Sequence, residues 1–135
     1  SYKKRGKEFD YICILYPTAP FVSIKRLNEG FNKLGSYQAC IPVVAFDYPV
    51  WRAFKLKEET LSYQWPEYET SRSQDLEPLY HDAGQWYWIK TRAIKDSLVP
   101  DKTASVLLDS LEVQDIDVEA DWKIAELKYK VLHAK

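Results

Sequence analysis

Apolar positions first gather into a short run, Tyr11–Leu15, which Pro17 and Pro20 bring to an end, because proline supplies no ladder donor and restricts the residue before it. The run predicts a strand that leads into a turn. Ser23 can then cap a helix whose apolar positions Ile24, Leu27, Phe31 and Leu34 recur at helical spacing, with Lys25, Arg26, Asn28 and Asn32 on the opposite face. Strand, turn and amphipathic helix make half of a βαβ unit. After Gly35, the near-continuous apolar stretch from Ala39 to Phe46 is rich in β-branched residues, which predicts a strand covered on both faces in a parallel or mixed sheet. Pro42 predicts that this strand lies at an edge or breaks there, since a central strand has little room for a missing donor.

From Tyr48 to Tyr80 neither period is sustained, and aromatic and charged residues crowd together. This stretch predicts a protruding arm. Within it "RAFKL" and "LSYQW", separated by "KEET", predict a hairpin, and exposed Trp51, Trp65, Tyr63 and Tyr68 would suit a protein interface. "AGQWYWIKT" alternates around Trp86 and Trp88 as a strand with Gly84 at its entrance, "ASVLLDS" and "LEVQDI" predict two further short strands, and Glu119 to Leu132 predicts a closing helix. Trp122, Ala125, Tyr129 and Leu132 share one face of that helix.

At 135 residues with 46% hydrophobic side chains, one core is the default. Nineteen basic residues against twenty acidic ones leave no field to hold a phosphate backbone or an anionic bilayer by counterion release, so nucleic acid and membrane are not expected partners. The basic opening "SYKKRGKEFDY" has no apolar stretch after it of the kind a leader carries. Cys13 and Cys40 lie inside apolar runs rather than in a CxxC pair, which suits buried thiols in a reduced, cytoplasmic setting. With no methionine even at the first position, the sequence is expected to be part of a larger chain.

Asp115 and Asp117 stand two apart before the closing helix. They could point to one face and grip a divalent metal, they could cap the helix, or they could sit in water. Spacing alone favours the cap, which stabilises by about 1 kcal/mol. Magnesium needs only one or two carboxylates with phosphates and water, so the pair is sufficient for it without being diagnostic. "RSQD" (72–75) and "YHDAGQ" (80–85) bring a guanidinium, two amides and an imidazole close in sequence through Arg72, Gln74, His81 and Gln85. Such a set suits a polyhydroxylated anion, and equally an ordinary solvated loop. Arg52, flanked by Trp51 and Phe54, is either an anion clamp or a stacking residue. Catalytic-cysteine and zinc readings fail on spacing, and no GxGxxG or GxxxxGK[ST] loop occurs.

Taken together, "LYPTAPF" (15–21), "RSQDLEPLYHDAGQWYW" (72–88) and "VQDIDVEADWKIAELK" (113–128) resemble, in order, the strand-to-loop motif, the sugar-side segment and the DxD metal motif with closing helix of the acylneuraminate cytidylyltransferase family. The resemblance spans the chain and is closest to the bacterial branch that activates pseudaminic acid. It implies a Rossmann-like nucleotidyltransferase fold, a mixed sheet flanked by helices, of which 1–135 is a partial domain. It also implies CTP and a nonulosonic acid as substrates, pyrophosphate as a product, and magnesium held by Asp115 and Asp117. Arg72 is then the partner of the sugar carboxylate, with Tyr16, Arg52, Gln74, His81 and Gln85 around the sugar.

Tyr16 stands where sialic-acid-specific members place a glutamine, which favours pseudaminic over sialic or legionaminic acid. Residues 48–71 correspond to the family's dimerisation extension, implying a homodimer. The family's glycine- and lysine-containing triphosphate loop has no counterpart before Tyr11, so the chain alone is expected to be inactive. A non-catalytic dimerising fragment is the alternative.

Overall fold

The computed structural model describes residues 6, 8–94 and 97–134, so most of the basic opening stretch lies outside the described residues. The chain divides into two compact units, Ser1–Val44 with Asp82–Lys135, and Ala45–His81.

In chain order the elements are β1 (Tyr11–Leu15), α1 (Ile24–Lys33), β2 (Ala39–Ala45), β3 (Phe54–Lys57), β4 (Thr60–Tyr63), β5 (Tyr80–Asp82), β6 (Trp86–Lys90), β7 (Thr103–Leu107) and α2 (Glu119–Leu132). The main sheet has the order β1-β6-β2-β5, with β7 also paired to β2. It is mixed. β1 runs antiparallel to β6 from Tyr11↔Lys90 to Leu15↔Trp86, β2 is antiparallel to β6 at Cys40↔Trp88, and β2 and β7 are parallel from Ala39↔Thr103 to Val43↔Leu107.

Alternation along these strands separates two apolar faces. Cys40, Trp86, Ala104 and Val106 cluster with Leu34, the residue that caps the C-terminal end of α1, while Ala39, Ile41, Tyr87 and Ile89 cluster on the other side with Ala93. Ser23 caps α1 as its sequence predicts, its hydroxyl accepting from the Arg26 amide at 3.3 Å. The predicted stripe of α1 packs at Leu27, Leu34 and Phe31, the last with its ring 5.0 Å from that of Trp88, but Ile24 is 78% exposed, and Gly30 is buried beside them. Gly30 lets the helix settle directly on the Trp86 indole, since a Cβ there would lie 2.3 Å from Trp86 Cη2.

Pro42 neither ends nor interrupts β2, which is paired on both sides, so the expected edge or break is corrected. The Val43 carbonyl accepts from Leu108 on the β7 side, and the Pro42 carbonyl accepts from Ala83 on the other. By alternation the missing N–H of Pro42 also faces away from β7. It meets the turn between β5 and β6, where no ladder donor is required.

"LEVQDI" is likewise not a strand: Ser110–Glu112 form a 3-10 turn and the residues to Ile116 are irregular. The closing helix has its predicted bounds, and of the four residues that share one face only Ala125 is buried, Trp122 and Tyr129 being more than half exposed.

In the second unit β3 and β4 pair as a hairpin from Phe54↔Tyr63 to Lys57↔Thr60, closed by Glu58–Glu59 with Glu58 at φ 55°. Trp51, Tyr63, Trp65 and Tyr68 are half-buried rather than exposed. Trp51 packs its ring 5.6 Å from Trp65 and 5.3 Å from Tyr68. The unit gathers these aromatics in its interior, and Phe54, Leu56 and Leu61 of the hairpin are left outward.

Candidate functional site

The segment before α2 is a turn held from several directions. Asp109 Oδ1 accepts from the Leu111 amide at 2.9 Å and Glu112 Oε2 accepts from the Asp109 amide at 3.1 Å, a reciprocal capping arrangement. Arg26 of α1 grips the same Glu112, Nε to Oε1 at 3.0 Å and Nη2 to Oε2 at 2.6 Å, and donates Nη1 to Glu29 at 2.9 Å. Hydrogen bonding to Arg26 holds the Glu112 and Glu29 carboxyls below their ordinary range, and those bonds raise the guanidinium further. Gln85 donates to the Glu112 carbonyl at 2.5 Å, and Lys128 of α2 donates to the carbonyls of Ser110 (3.0 Å) and Val113 (2.6 Å).

Asp115 and Asp117 emerge from this braced turn, both exposed. Neither carboxylate caps α2. The N-cap residue is Val118, and Asp121 Oδ2 accepts from the amides of Asp117 and Val118, both at 3.0 Å. The capping expectation is thereby corrected: Asp117 contributes its backbone N–H and keeps its carboxylate out of the cap. Among the described residues that carboxylate accepts no hydrogen bond. Asp115 Oδ1 accepts from the Ile116 amide at 3.1 Å, and Oδ2 would lie 3.9 Å from a Cβ placed on Gly84. No group of three or more His, Cys, Asp or Glu converges among the described residues. Two exposed hard oxygen donors fit magnesium, which completes its shell with phosphate oxygens and water.

Beside Asp115 the chain turns at Gly84, φ 60°, whose amide donates to Asp82 Oδ1 at 2.9 Å. The other oxygen, Oδ2, accepts the Tyr87 hydroxyl at 2.5 Å. Tyr87 is buried, and burial first, then the bond to Asp82, pushes its phenol far above the ordinary range. Tyr16 is tied here by its amide, which donates to the Gln85 carbonyl at 3.0 Å, and its ring meets Tyr87 edge-on at 5.5 Å. Tyr16 is 40% exposed, whereas Gln85 is 1% exposed and spends its amide inward on Glu112. The structure thus brings together Tyr16, Gln85 and Asp115. It adds Asp82 and Tyr87, which residue type and spacing did not single out.

The remaining candidates belong to the second unit. Arg72 is exposed and forks onto Asp75 at 2.7 and 3.3 Å. Gln74 lines a pocket of about 340 Å³ with Phe46, Tyr48, Val50 and Leu79. His81 meets the Phe46 ring edge-on at 5.6 Å. Arg52 is exposed at the end of a 3-10 turn, and no ring stacking by it occurs among the described residues. Cys40 is buried, which pushes its thiol up to about 11, and burial also raises Cys13.

No protein-family model matches the chain. It is 37% identical over 137 residues, 97% of its own length, to a pseudaminic acid cytidylyltransferase of Campylobacter jejuni subsp. jejuni serotype O:23/36, and equally to that of serotype O:2. A third relative, the Helicobacter pylori pseudaminic acid cytidylyltransferase and UDP-2,4-diacetamido-2,4,6-trideoxy-beta-L-altropyranose hydrolase, is 34% identical over 82% of the chain and 22% of that protein. The chain spans 59% of the length of the two Campylobacter relatives. The resemblance seen in its motifs therefore extends over nearly the whole of its sequence.

Proposed function

From that similarity to cytidylyltransferases, we propose that the protein carrying this chain activates a nine-carbon sugar acid, pseudaminic acid, with CTP. The anomeric hydroxyl attacks the α-phosphorus, a CMP-sugar forms and pyrophosphate leaves. The observation that carries the reading is the pair Asp115 and Asp117, whose carboxylates the fold leaves out of the helix cap because Asp121 takes that task.

In this reading Asp115 and Asp117 hold magnesium, which when bound neutralises charge on the phosphate oxygens and the leaving group. The Arg26–Glu112 clamp and Lys128 keep the turn beneath them rigid, so the carboxylates do not have to be ordered when substrate arrives. Tyr16 lines the sugar. Gln85 supports the site by holding the Glu112 carbonyl. Arg72 exchanges its exposed Asp75 partner for the sugar carboxylate, a cheap exchange because exposed pairs are weak, while Arg52, Gln74 and His81 contact the remaining sugar groups. The complete fold is a Rossmann-like nucleotidyltransferase of which this chain is a part, inactive alone. The hairpin within 48–71 pairs two copies through the outward Phe54, Leu56 and Leu61.

A pyrophosphate-release assay on the full-length protein with CTP, magnesium and pseudaminic acid tests the reading. Turnover is expected, with kcat lowered at least about 100-fold in Asp117→Ala. Full activity in that variant would refute the metal role, and faster turnover of sialic or legionaminic acid would change the sugar.

A further inference from the structure

β1 is the last strand on its side of the main sheet, whose order is β1-β6-β2-β5. The hydrogen bonds that flank it fix which way its backbone groups point. At one end the Tyr16 amide donates to the Gln85 carbonyl, and at the other the Thr91 amide donates to the Asp10 carbonyl. In an antiparallel ladder the residues that exchange bonds recur at every second position, so Ile12 and Ile14, like Asp10 and Tyr16, spend their backbone groups toward β6. Tyr11, Cys13 and Leu15 therefore turn their N–H and C=O groups to the open edge, where no strand pairs with them among the described residues.

An edge of this kind is ordinarily defended by a lysine, an internal proline or a bulge. The strand "YICIL" has none of these: it is uncharged, and its register with β6 runs unbroken from Tyr11 to Leu15. Tyr11, Ile12 and Leu15 are also exposed. The apolar surface continues past the end of the strand, because Pro20 and Phe21 share a groove of about 330 Å³ with Ile116 and with Trp122, Ala125 and Tyr129 of α2. On its side turned away from buried Ala125, α2 carries a second apolar stripe at helical spacing, Ile124, Leu127 and Val131, the last two more than half exposed. A helix that is apolar on two sides is one that is covered on both.

We propose that the outer edge of β1 receives a further strand, and that the groove and the outer stripe of α2 are covered by the apolar layer that comes with it. Both are supplied by the part of the same polypeptide that lies outside these 135 residues. About two fifths of the length of the Campylobacter relatives lies outside the match, so a segment of sufficient size is at hand. Tethered in one chain, that segment meets the edge at an effective concentration that a second copy in solution does not reach. The inference rests on the strand edge, the helix and the length of the relatives, not on the reaction proposed above, so a failure of either leaves the other standing.

Hydrogen exchange on the full-length protein, read amide by amide by NMR, tests it. Protection factors at Tyr11, Cys13 and Leu15 should lie within about tenfold of those at Ile12 and Ile14, and should be unchanged when the protein is diluted. An open edge would instead leave the first three at least about 100-fold less protected. Leu127→Lys, harmless on a wetted helix face, should lower the melting temperature of the full-length protein by at least about 6 °C, because the added layer buries the new charge without a partner. Weak protection at Tyr11, Cys13 and Leu15 beside strong protection at Ile12 and Ile14 would overturn the inference, as would an unchanged melting temperature in Leu127→Lys. Protection that is lost on dilution would overturn it too, by placing a second copy on the edge.

Discussion

Arg26→Ala removes the side chain that joins α1 to the turn below Asp115. Three charge-assisted hydrogen bonds disappear, two to Glu112 and one to Glu29. The side chains of Arg26 and Glu112 are 22% and 25% exposed, which places the pair between two regimes. Exposed ion pairs contribute about 0–1 kcal/mol, and breaking a fully buried one costs about 3–5 kcal/mol. Water reaches this pair but does not surround it, so about 2 kcal/mol is expected, and in a domain of this size a melting temperature lower by about 8 °C. Urea and thermal unfolding of Arg26→Ala, Glu112→Gln and the double variant measure it, with the coupling in the cycle expected at about 1–2 kcal/mol. Arg72→Ala, which breaks a pair whose side chains are 72% and 50% exposed, is the control and should have almost no effect. Equal losses for Arg26→Ala and Arg72→Ala, or zero coupling, would refute the clamp.

Gly30→Ala should destabilise by about 2 kcal/mol although alanine is the better helix former, because its methyl would lie 2.3 and 2.5 Å from Trp86 Cη2 and Cζ3 in a core that has no room to yield; unchanged urea unfolding would contradict this. The depressed Glu112 and Glu29 carboxyls contribute stability that is complete above the ordinary glutamate pKa of about 4.3 and is lost as pH falls through their lower folded values. The acid limb of a stability profile should therefore be shallower in Arg26→Ala, and identical limbs would count against the clamp. Cys40, buried with its thiol pushed up to about 11, should react with iodoacetamide in the native protein only as fast as the protein opens, while half-buried Cys13 reacts sooner; equal rates would show the core is not closed over Cys40. On the proposed pairing of two copies through the hairpin, the full-length protein should sediment as a dimer and its Leu56→Lys, Leu61→Lys variant as a monomer; a wild-type monomer would refute the pairing, and a variant that stays dimeric would move the interface elsewhere.

Elements with local signals were legible in the sequence. The Ser23 cap, the hairpin around Glu58–Glu59 and the bounds of α2 follow from caps, turn spacing and periodicity, which need no knowledge of distant contacts. Pro42 misled because its consequence depends on which neighbour its nitrogen faces, a matter of sheet order rather than of sequence. The stripe on α1 held at Leu27, Phe31 and Leu34 but missed Gly30, which carries no hydrophobic weight in a periodicity count and is the residue that meets Trp86. At the site, Asp115 and Asp117 stood out by type and spacing, but the residue that frees them from capping, Asp121, was visible only as the third position of a helix start. Asp109 and Glu112 carried the spacing of a capping box and could have been found by it. The partners Arg26 and Glu112, and the group Tyr16, Tyr87 and Asp82, are assembled by the fold from positions with no shared local pattern.

The central claim is that Asp115 and Asp117 together hold the cation that accompanies the nucleotide's phosphates. Its most direct test is a titration of manganese and CTP into the full-length protein, followed by the electron paramagnetic signal of the free ion, for the wild type and for the double variant Asp115→Asn with Asp117→Asn. Affinity for manganese–CTP is expected to fall at least about 100-fold in the double variant, more than loss of an outer partner costs a metal site, while its unfolding free energy stays within about 0.5 kcal/mol of the wild type because both side chains are exposed. Undiminished manganese–CTP binding by a folded double variant would contradict the account.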